Sequence, residues 1–504
     1  MSNNLTTPGV YSANENAFPT SAVAVETAVP VFIGYTQKAE RKSKSLLRIP
    51  TKISSLADYV ELFGVGFSPR FTIAAAPAGT TEETFFLNGK PMQVVINNNN
   101  TFYFYSCIKL FYANGGGNCY IMSVGTYGDL TAGFKIDLTD FTGDDVKPGV
   151  FEILEKEFEP TLVVMPDVIA KGVAAYPLYR LALQHCEKMQ SRFCIFDVWQ
   201  SKAQTIDDDI AQFRGTDKEP GIGNDFLNYG AAYYPWLKTS VVQDQEIDFT
   251  NLDEAVDLAA LLPEEAAKKI VANIKDLQPA EQNANRVNMH QLLKASSLSY
   301  VYIIEAIRVK LNLLPPAAAI AGIYTLVDSS RGVWKSPANV SLAMVNAPSI
   351  NISHEQQENL NVDVMAGKSV NVIRTFPGIG TLVWGARTLD GNNQDWKYIN
   401  VKRTLIMIEQ SLKLAVGAYV FEPNNSQTWT TVQSMINNFL NALWKQGALA
   451  GAKPEQAYSV EIGLGATMTP ENILDGVLRV TIKLAIVRPA EFIVITFQQQ
   501  QQKS

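Results

Sequence analysis

Apolar positions along the chain follow a helical period in some stretches and a strand period in others. AVPVFIGYT (28–36) is rich in β-formers and reads as a strand. In TKISSLADYVELFGVG (51–66), Leu56, Tyr59, Val60 and Phe63 repeat at helical spacing behind Ser54 or Ser55, which predicts a short capped helix. From residue 161 the two patterns alternate. TLVVMPD (161–167), a helical stretch to Gln190, RFCIFD (192–197), a second helix near 205–214 and GAAYYPW (230–236) make a βαβαβ series. Such a series folds as a parallel sheet covered by helices. Residues 245–300 lean towards helix and are rich in Asp, Glu, Ala and Lys.

The last third is the most strongly patterned. In YINVKRTLIMIEQSLKLAVGAYVF, the positions Val401, Leu405, Ile408, Leu412, Ala415 and Tyr419 step by four and three, so one face of a helix is buried, with Lys402 and Arg403 off that stripe. A second helix from about Thr428 to Lys445 gathers Trp429, Val432, Ile436, Phe439 and Leu443 on one side. RVTIKLAIV (479–487) alternates: Val480, Ile482, Leu484 and Ile486 face one way, while Arg479, Thr481 and Lys483 face the other. That is a strand with one wet face. After Pro489 the run resumes at Phe492 with apolar residues on both sides, Phe492 and Val494 against Ile493, Ile495 and Phe497. A strand of this kind needs cover on two faces, and it stands at a chain end with no later segment to pair with it.

Composition narrows the class of function. At 504 residues the chain has room for about three domains. A net charge of -7, with no dominant basic run, argues against nucleic acid or anionic lipid as partner, and an 18% charged fraction leaves surface for protein contacts. No stretch reaches the ~18 apolar residues of a membrane span. The polar start MSNNLTTPGVYS lacks a signal-peptide layout, so folding in the cytoplasm is expected. Cys107, Cys119, Cys186 and Cys194 are then reduced packing residues, and their spacing fits no zinc pattern. No metal or cofactor is expected. Residues 1–20, punctuated by Pro8, Gly9 and Pro19, read as an arm, and the Ala, Gly and Asn-rich stretch 67–100 as a peripheral insertion.

Candidate chemistry is sparse. Asp167 and Asp197 each follow a parallel strand, where a pair of carboxylates holds Mg²⁺ in phosphotransfer enzymes; the alternative is that each caps the turn or helix after it. AGKSV (366–370) contains the GKS of a phosphate loop, but Val362 stands where the first glycine is required. GIGTLVWG (378–385) lacks the third glycine of a dinucleotide fingerprint. His185 and Cys186 are neighbours on a helix and so point about 100° apart. In GGGNCY (115–120) the glycines are explained by a tight turn with positive φ before a strand. These residues do not assemble a catalytic constellation.

PPAAAIAGIYTLVDSSRGVWKSPANV (315–340) resembles the sheath proteins of contractile phage tails and related injection systems. Further stretches agree in order: TPGVY (7–11), FGVG (63–66), YANGGGNCYIMSV (112–124), VWGARTLDGNNQDWKYINVKR (383–403), FEPNN (421–425), LWKQGALAG (443–451) and RPAEFIVITFQQ (488–499). The resemblance spans nearly the whole chain and is dense from 315 onward. Ala317 and Ala318 depart from it, standing where the family often has Ser-Gly.

The resemblance implies a non-enzymatic, mixed α/β, multi-domain subunit. Its parts are an arm (1–20), an outer region (21–330) with the βαβ sheet, an inner assembly domain of helices and sheet (331–488) and a donated strand (489–504). It implies stacked six-membered rings around an inner tube, held by baseplate and cap proteins and shortening to drive the tube through an envelope. The particle is a phage tail or a released injection device. The arms, Pro8, Gly9, Val10 and Tyr11 at one end and Phe492, Ile493, Val494, Ile495 and Phe497 at the other, would complete sheets in neighbouring subunits. Arg488 and Pro489 would be the hinge, because proline cannot donate to a ladder. Lys445 and Lys453, near the last helix, are candidate contacts to the tube; as exposed charges they are also explicable as solvated lysines. A capsid or surface-layer subunit would share the arms, and a Mg²⁺-dependent phosphotransferase using Asp167 and Asp197 is the alternative from another class.

Overall fold

The computed structural model describes residues 22–77, 79–80, 83–96, 101–127, 136–201, 205–363 and 366–494. Contacts divide the chain into two units. One holds residues 26–403 and the chain from 488; the other holds 404–487 with the described residues before Glu26. Stretch 331–488 therefore contributes to both.

In the larger unit, strands β1 (Pro30–Thr36), β2 (Thr51–Ile53), β3 (Cys119–Thr126), β4 (Leu162–Val164), β5 (Phe193–Asp197), β6 (Gly230–Tyr234), β7 (Val340–Ser341), β8 (Asn371–Phe376) and β9 (Gly380–Trp384) form one sheet. Its order is β7-β9-β8-β6-β5-β4-β1-β3-β2. The run from β8 to β3 is parallel, and both margins turn antiparallel. The expected βαβαβ series is its centre. Strands β1, β4, β5 and β6 are buried along their whole length, as a parallel sheet covered on both faces requires.

Side-chain parity builds the layers. Phe193 and Ile195 of β5 join a core with Phe32, Phe111 and Tyr324, so that face is covered by helices α2 (Phe104–Ala113) and α5 (Ala317–Arg331). The alternate residues point the other way. There Phe196 stacks on Tyr179 with ring centroids 4.4 Å apart, on helix α3 (Tyr176–Met189). Helix α4 (Ile206–Arg214) follows on a Thr205 capping box. Helix α1 (Leu56–Phe63) begins at Ser55, whose side chain accepts from the Asp58 amide. Between α2 and β3, Gly115 adopts φ 91°, and a Cβ there would lie 2.8 Å from the Leu326 Cβ. The turn thus needs glycine for both conformation and space.

The region from 67 to 100 is more integrated than an insertion. Phe71–Ala75, Lys90–Ile96 and Phe85–Leu87 form a three-stranded antiparallel sheet. Its Phe71 and Val94 share a second core with Val271, Ile303 and Ile304 from the helix-rich stretch.

Helix α6 (Ile399–Gly417) runs across the division after Arg403. Its expected stripe holds: Val401, Ile408, Leu412 and Tyr419 are buried, and Leu405 and Ala415 half-buried. Lys402 and Arg403, off that stripe, are buried as well. The Lys402 ammonium lies 3.7 Å from the ring centroid of Tyr229 and 5.0 Å from that of Trp396. Arg403 donates to both carboxylate oxygens of Asp328 and to the Thr27 carbonyl, and its guanidinium covers the Tyr324 ring at 4.5 Å.

The smaller unit is built on α7 (Ser426–Lys445), capped by Asn425, whose Oδ1 accepts from the Gln427 and Thr428 amides at 3.1 Å each. Val432, Ile436, Phe439 and Leu443 are buried as the periodicity expects, with Trp429 half-buried. Strand β10 (Tyr458–Glu461) lies against this helix, where Gln433 Nε2 donates to the Val460 carbonyl at 2.8 Å. Strand β11 (Thr481–Leu484) pairs antiparallel with β10.

Candidate assembly interface

The ladder between β10 and β11 sets Tyr458 opposite Leu484 and Val460 opposite Ile482. Pairing on the same side continues past the strand: the Ala485 amide donates to the Ala457 carbonyl, the Ala450 amide to the Ala485 carbonyl and the Val487 amide to the Ala448 carbonyl. These bonds use odd-numbered residues. Successive peptide groups of a strand alternate in direction, so the amides and carbonyls of Ile482, Leu484 and Ile486 point to the opposite edge. No strand pairs there among the described residues. Lys483 is exposed and bonds Glu461 at 3.2 Å, as expected for the wet face. The apolar face is covered incompletely, since Ile482, Leu484 and Ile486 are only half-buried.

Past Val487 the chain passes from the smaller unit to the larger, at the residues read as a hinge. Arg488 comes within 3.6 Å of Asp395, and Pro489 follows. Glu491 is then gripped. Arg387 Nε donates to its Oε1 at 2.9 Å and Arg387 Nη2 to its Oε2 at 2.8 Å. Asn361 Nδ2 adds a bond to Oε1 at 2.8 Å and the Tyr398 hydroxyl one to Oε2 at 3.0 Å. Burial pushes this carboxyl up, but the Arg387 fork, with Asn361 and Tyr398, outweighs it and holds the group below the usual carboxylate range. This site was missed from sequence; its one signal is a lone charge between Ala490 and Phe492 in an otherwise apolar run.

The three described residues after Glu491 are not held in this way. Phe492, Ile493 and Val494 are 73%, 78% and 89% exposed and form no strand. Ile495 and Phe497, like Pro8, Gly9, Val10 and Tyr11, lie outside the described residues. Lys445, in the last turn of α7, and Lys453 beyond it are exposed.

The chemical candidates resolve into structural roles. Asp167 is fully buried and accepts from the amides of Tyr35, Tyr103 and Phe104 at 2.8–3.0 Å. Asp197, also buried, accepts from the Ala317 amide at 2.7 Å. Burial pushes each up to about 7 against those amides. Both carboxylates therefore cap helix starts, but of α2 and α5, distant in sequence, rather than of the segments that follow them. Turned inward and engaged by backbone, they do not present oxygens to a phosphoryl substrate. Two surface hollows, about 330 Å³ beside Arg180 and Gln184 and about 290 Å³ beside Glu187 and Asp390, include neither. Lys368 is buried and donates to the Arg214 carbonyl at the end of α4, so the GKS stretch closes a helix instead of holding a phosphate. The GIG glycines form the hairpin turn between β8 and β9. His185 faces Arg192, while Cys186 Sγ lies 3.3 Å from Cys194 Sγ. All four cysteines are free and buried.

Comparison with known proteins agrees with this picture. Residues 391–500 match the model of the phage tail sheath C-terminal domain. The tail sheath protein of Vibrio phage KVP40 is 21% identical over 222 residues, 43% of this chain and 32% of that protein. That of Salmonella phage ViI is 23% identical over 158 residues, 31% of this chain and 24% of that protein. The chain thus aligns with a third or less of these relatives. Among solved structures, the contracted sheath of the extracellular contractile injection system PVC is 27% identical, with a TM-score of 0.59 over 99% of both chains. The contracted helical sheath of the anti-feeding prophage is also 27% identical, with a TM-score of 0.61 over 98% of this chain and 99% of that one. Residues 391–500 thus match the phage tail sheath C-terminal domain, and the chain as a whole is similar to contractile sheath proteins.

Proposed function

We propose that this protein is the structural subunit of a contractile sheath, polymerising as stacked hexameric rings around an inner tube and shortening to drive that tube through a target envelope. Neighbouring subunits are joined by exchange of the N-terminal arm and the strand that begins at Phe492. The observation that carries this reading is a matched pair of deficiencies: an edge with no strand partner among the described residues and a half-covered apolar face at Ile482, Leu484 and Ile486, and uncovered apolar residues at Phe492, Ile493 and Val494. Strand addition would satisfy both, the main chain supplying hydrogen bonds and alternate side chains filling the neighbour's surface. A heterologous contact of this kind propagates into rings and filaments. The particle is a phage tail or a released injection device whose sheath meets a tube protein, a baseplate and a cap, with Lys445 and Lys453 contacting the tube and Arg488 and Pro489 serving as hinge.

The test is removal of residues 489–504. The truncated chain is expected to stay folded by circular dichroism and monomeric by sedimentation, where the full chain gives striated tubes by negative stain. Tubes of ordinary appearance from the truncated chain would reject strand exchange.

A further inference from the structure

We infer that Arg387, Asn361 and Tyr398 form a socket that fixes Glu491 as the root of the exchanged strand, so that tension on that strand is borne by the large sheet of the subunit that donates it. The inference rests on the strand-exchange reading and adds where the strand is held. In an isolated chain the described segment beyond Val487 has no sheet partner among the described residues, yet Glu491 is fastened by four hydrogen bonds from three side chains. The next three residues are uncovered. A fork-to-carboxylate grip is directional as well as strong, which suits a fixed post rather than a loose tether.

The post is wired into the sheet. The Arg387 amide donates to Asn371 Oδ1 at 2.8 Å, and Asn371 Nδ2 donates to the Arg387 carbonyl at 2.8 Å and to the Ala232 carbonyl at 3.2 Å. Asn371 opens β8, and Ala232 lies in β6. A pull at Phe492 therefore reaches the centre of the nine-stranded sheet through Glu491, Arg387 and Asn371. It does not pass back through Arg488 and Pro489 to the unit that carries β11. The socket also limits reach. At about 3.3 Å per residue, a strand from 492 to 497 finds its acceptor within about 20 Å of the post.

The test uses Arg387→Lys, which keeps the charge but cannot fork, and Tyr398→Phe, which removes one hydroxyl. A glutamate-specific endopeptidase is applied to the purified full-length chain, and cutting after Glu491 is followed by mass spectrometry. The Arg387→Lys chain is expected to be cut there at least about tenfold faster than wild type, equivalent to about 1.4 kcal/mol, with cutting at other glutamates unchanged. Tyr398→Phe should be cut faster by a smaller factor. The protein concentration at which tubes first appear should rise about tenfold for Arg387→Lys. Equal cutting rates would remove the socket, and an unchanged tube threshold would remove its load-bearing role. If chains lacking 489–504 still form tubes while Arg387→Lys is cut faster, strand exchange fails and the socket stands only as an anchor of the tail.

Discussion

Replacing Asp197 by Asn should change how stability depends on pH, by an amount the structure sets. Asp197 sits at the end of β5 with the Ala317 amide as its hydrogen-bond donor, and burial pushes its carboxyl up to about 7. In the unfolded chain an aspartate titrates near ~3.9. Because the folded value is the higher one, the stability tied to this proton is fully present below about pH 4 and is lost as pH rises through about 7. Each unit in that window is worth about 1.4 kcal/mol, so wild type loses roughly 2 to 3 kcal/mol at this site between pH 5 and 7. The N-terminus of α5 opposes the loss, but a helix terminus stabilises an anion by no more than about 2 kcal/mol, less than the roughly 4 kcal/mol that the whole displacement represents. Asn keeps an acceptor for the Ala317 amide and does not ionise. The advantage of Asp197→Asn over wild type should therefore grow by roughly 3 kcal/mol from pH 5 to pH 8. Asp167, with a similar shift, is common to both chains and cancels in the difference. Urea unfolding at several pH values, followed by tryptophan fluorescence, measures it, since Trp199 and Trp236 stand near this end of the sheet with rings 5.9 Å apart. Parallel pH profiles for the two chains would refute the reasoning.

Two further outcomes follow from other sites. Arg403 and Asp328 are a buried ion pair with side chains 3% and 5% exposed, so Asp328→Ala, which strands the guanidinium, should cost about 3–5 kcal/mol by thermal or urea unfolding; a loss below 1 kcal/mol would show that the pair is dispensable. Reversing both charges in Lys445→Glu with Lys453→Glu should leave the free subunit's melting temperature within about 2 °C while reducing sedimentation with tube protein, because exposed lysines contribute little to folding; undiminished co-sedimentation counts against the tube assignment.

Periodicity made the local faces legible. The βαβαβ stretch, the stripe on α6, the apolar side of α7 and the wet face at Lys483 all come from spacing, because spacing determines which side chains share a side. What spacing does not carry is the identity of the distant element that meets that side. Lys402 and Arg403 fall off the stripe, yet aromatic rings and Asp328 close over them. Asp167 and Asp197 were legible as helix caps in kind, but the helices they cap begin 63 residues earlier and 120 residues later. The sheet formed by Phe71–Ala75 and its neighbours was hidden because its cover comes from residues 242–307, far along the chain. At the interface, the strand-forming end and the alternating strand before it were visible. The grip on Glu491 was not, since its three partners come from separate parts of the fold.

The nine-stranded sheet finishes at β7, two residues long, and at β2, three residues long. Stubs of that length offer too few peptide groups to recruit a stranger's backbone. Subunits meeting flank to flank through this sheet would find little backbone to join, whereas under strand exchange growth would use the four-residue margin left open among the described residues beside Ile482 and Leu484. A crowd of identical chains would then wait for a template instead of clumping.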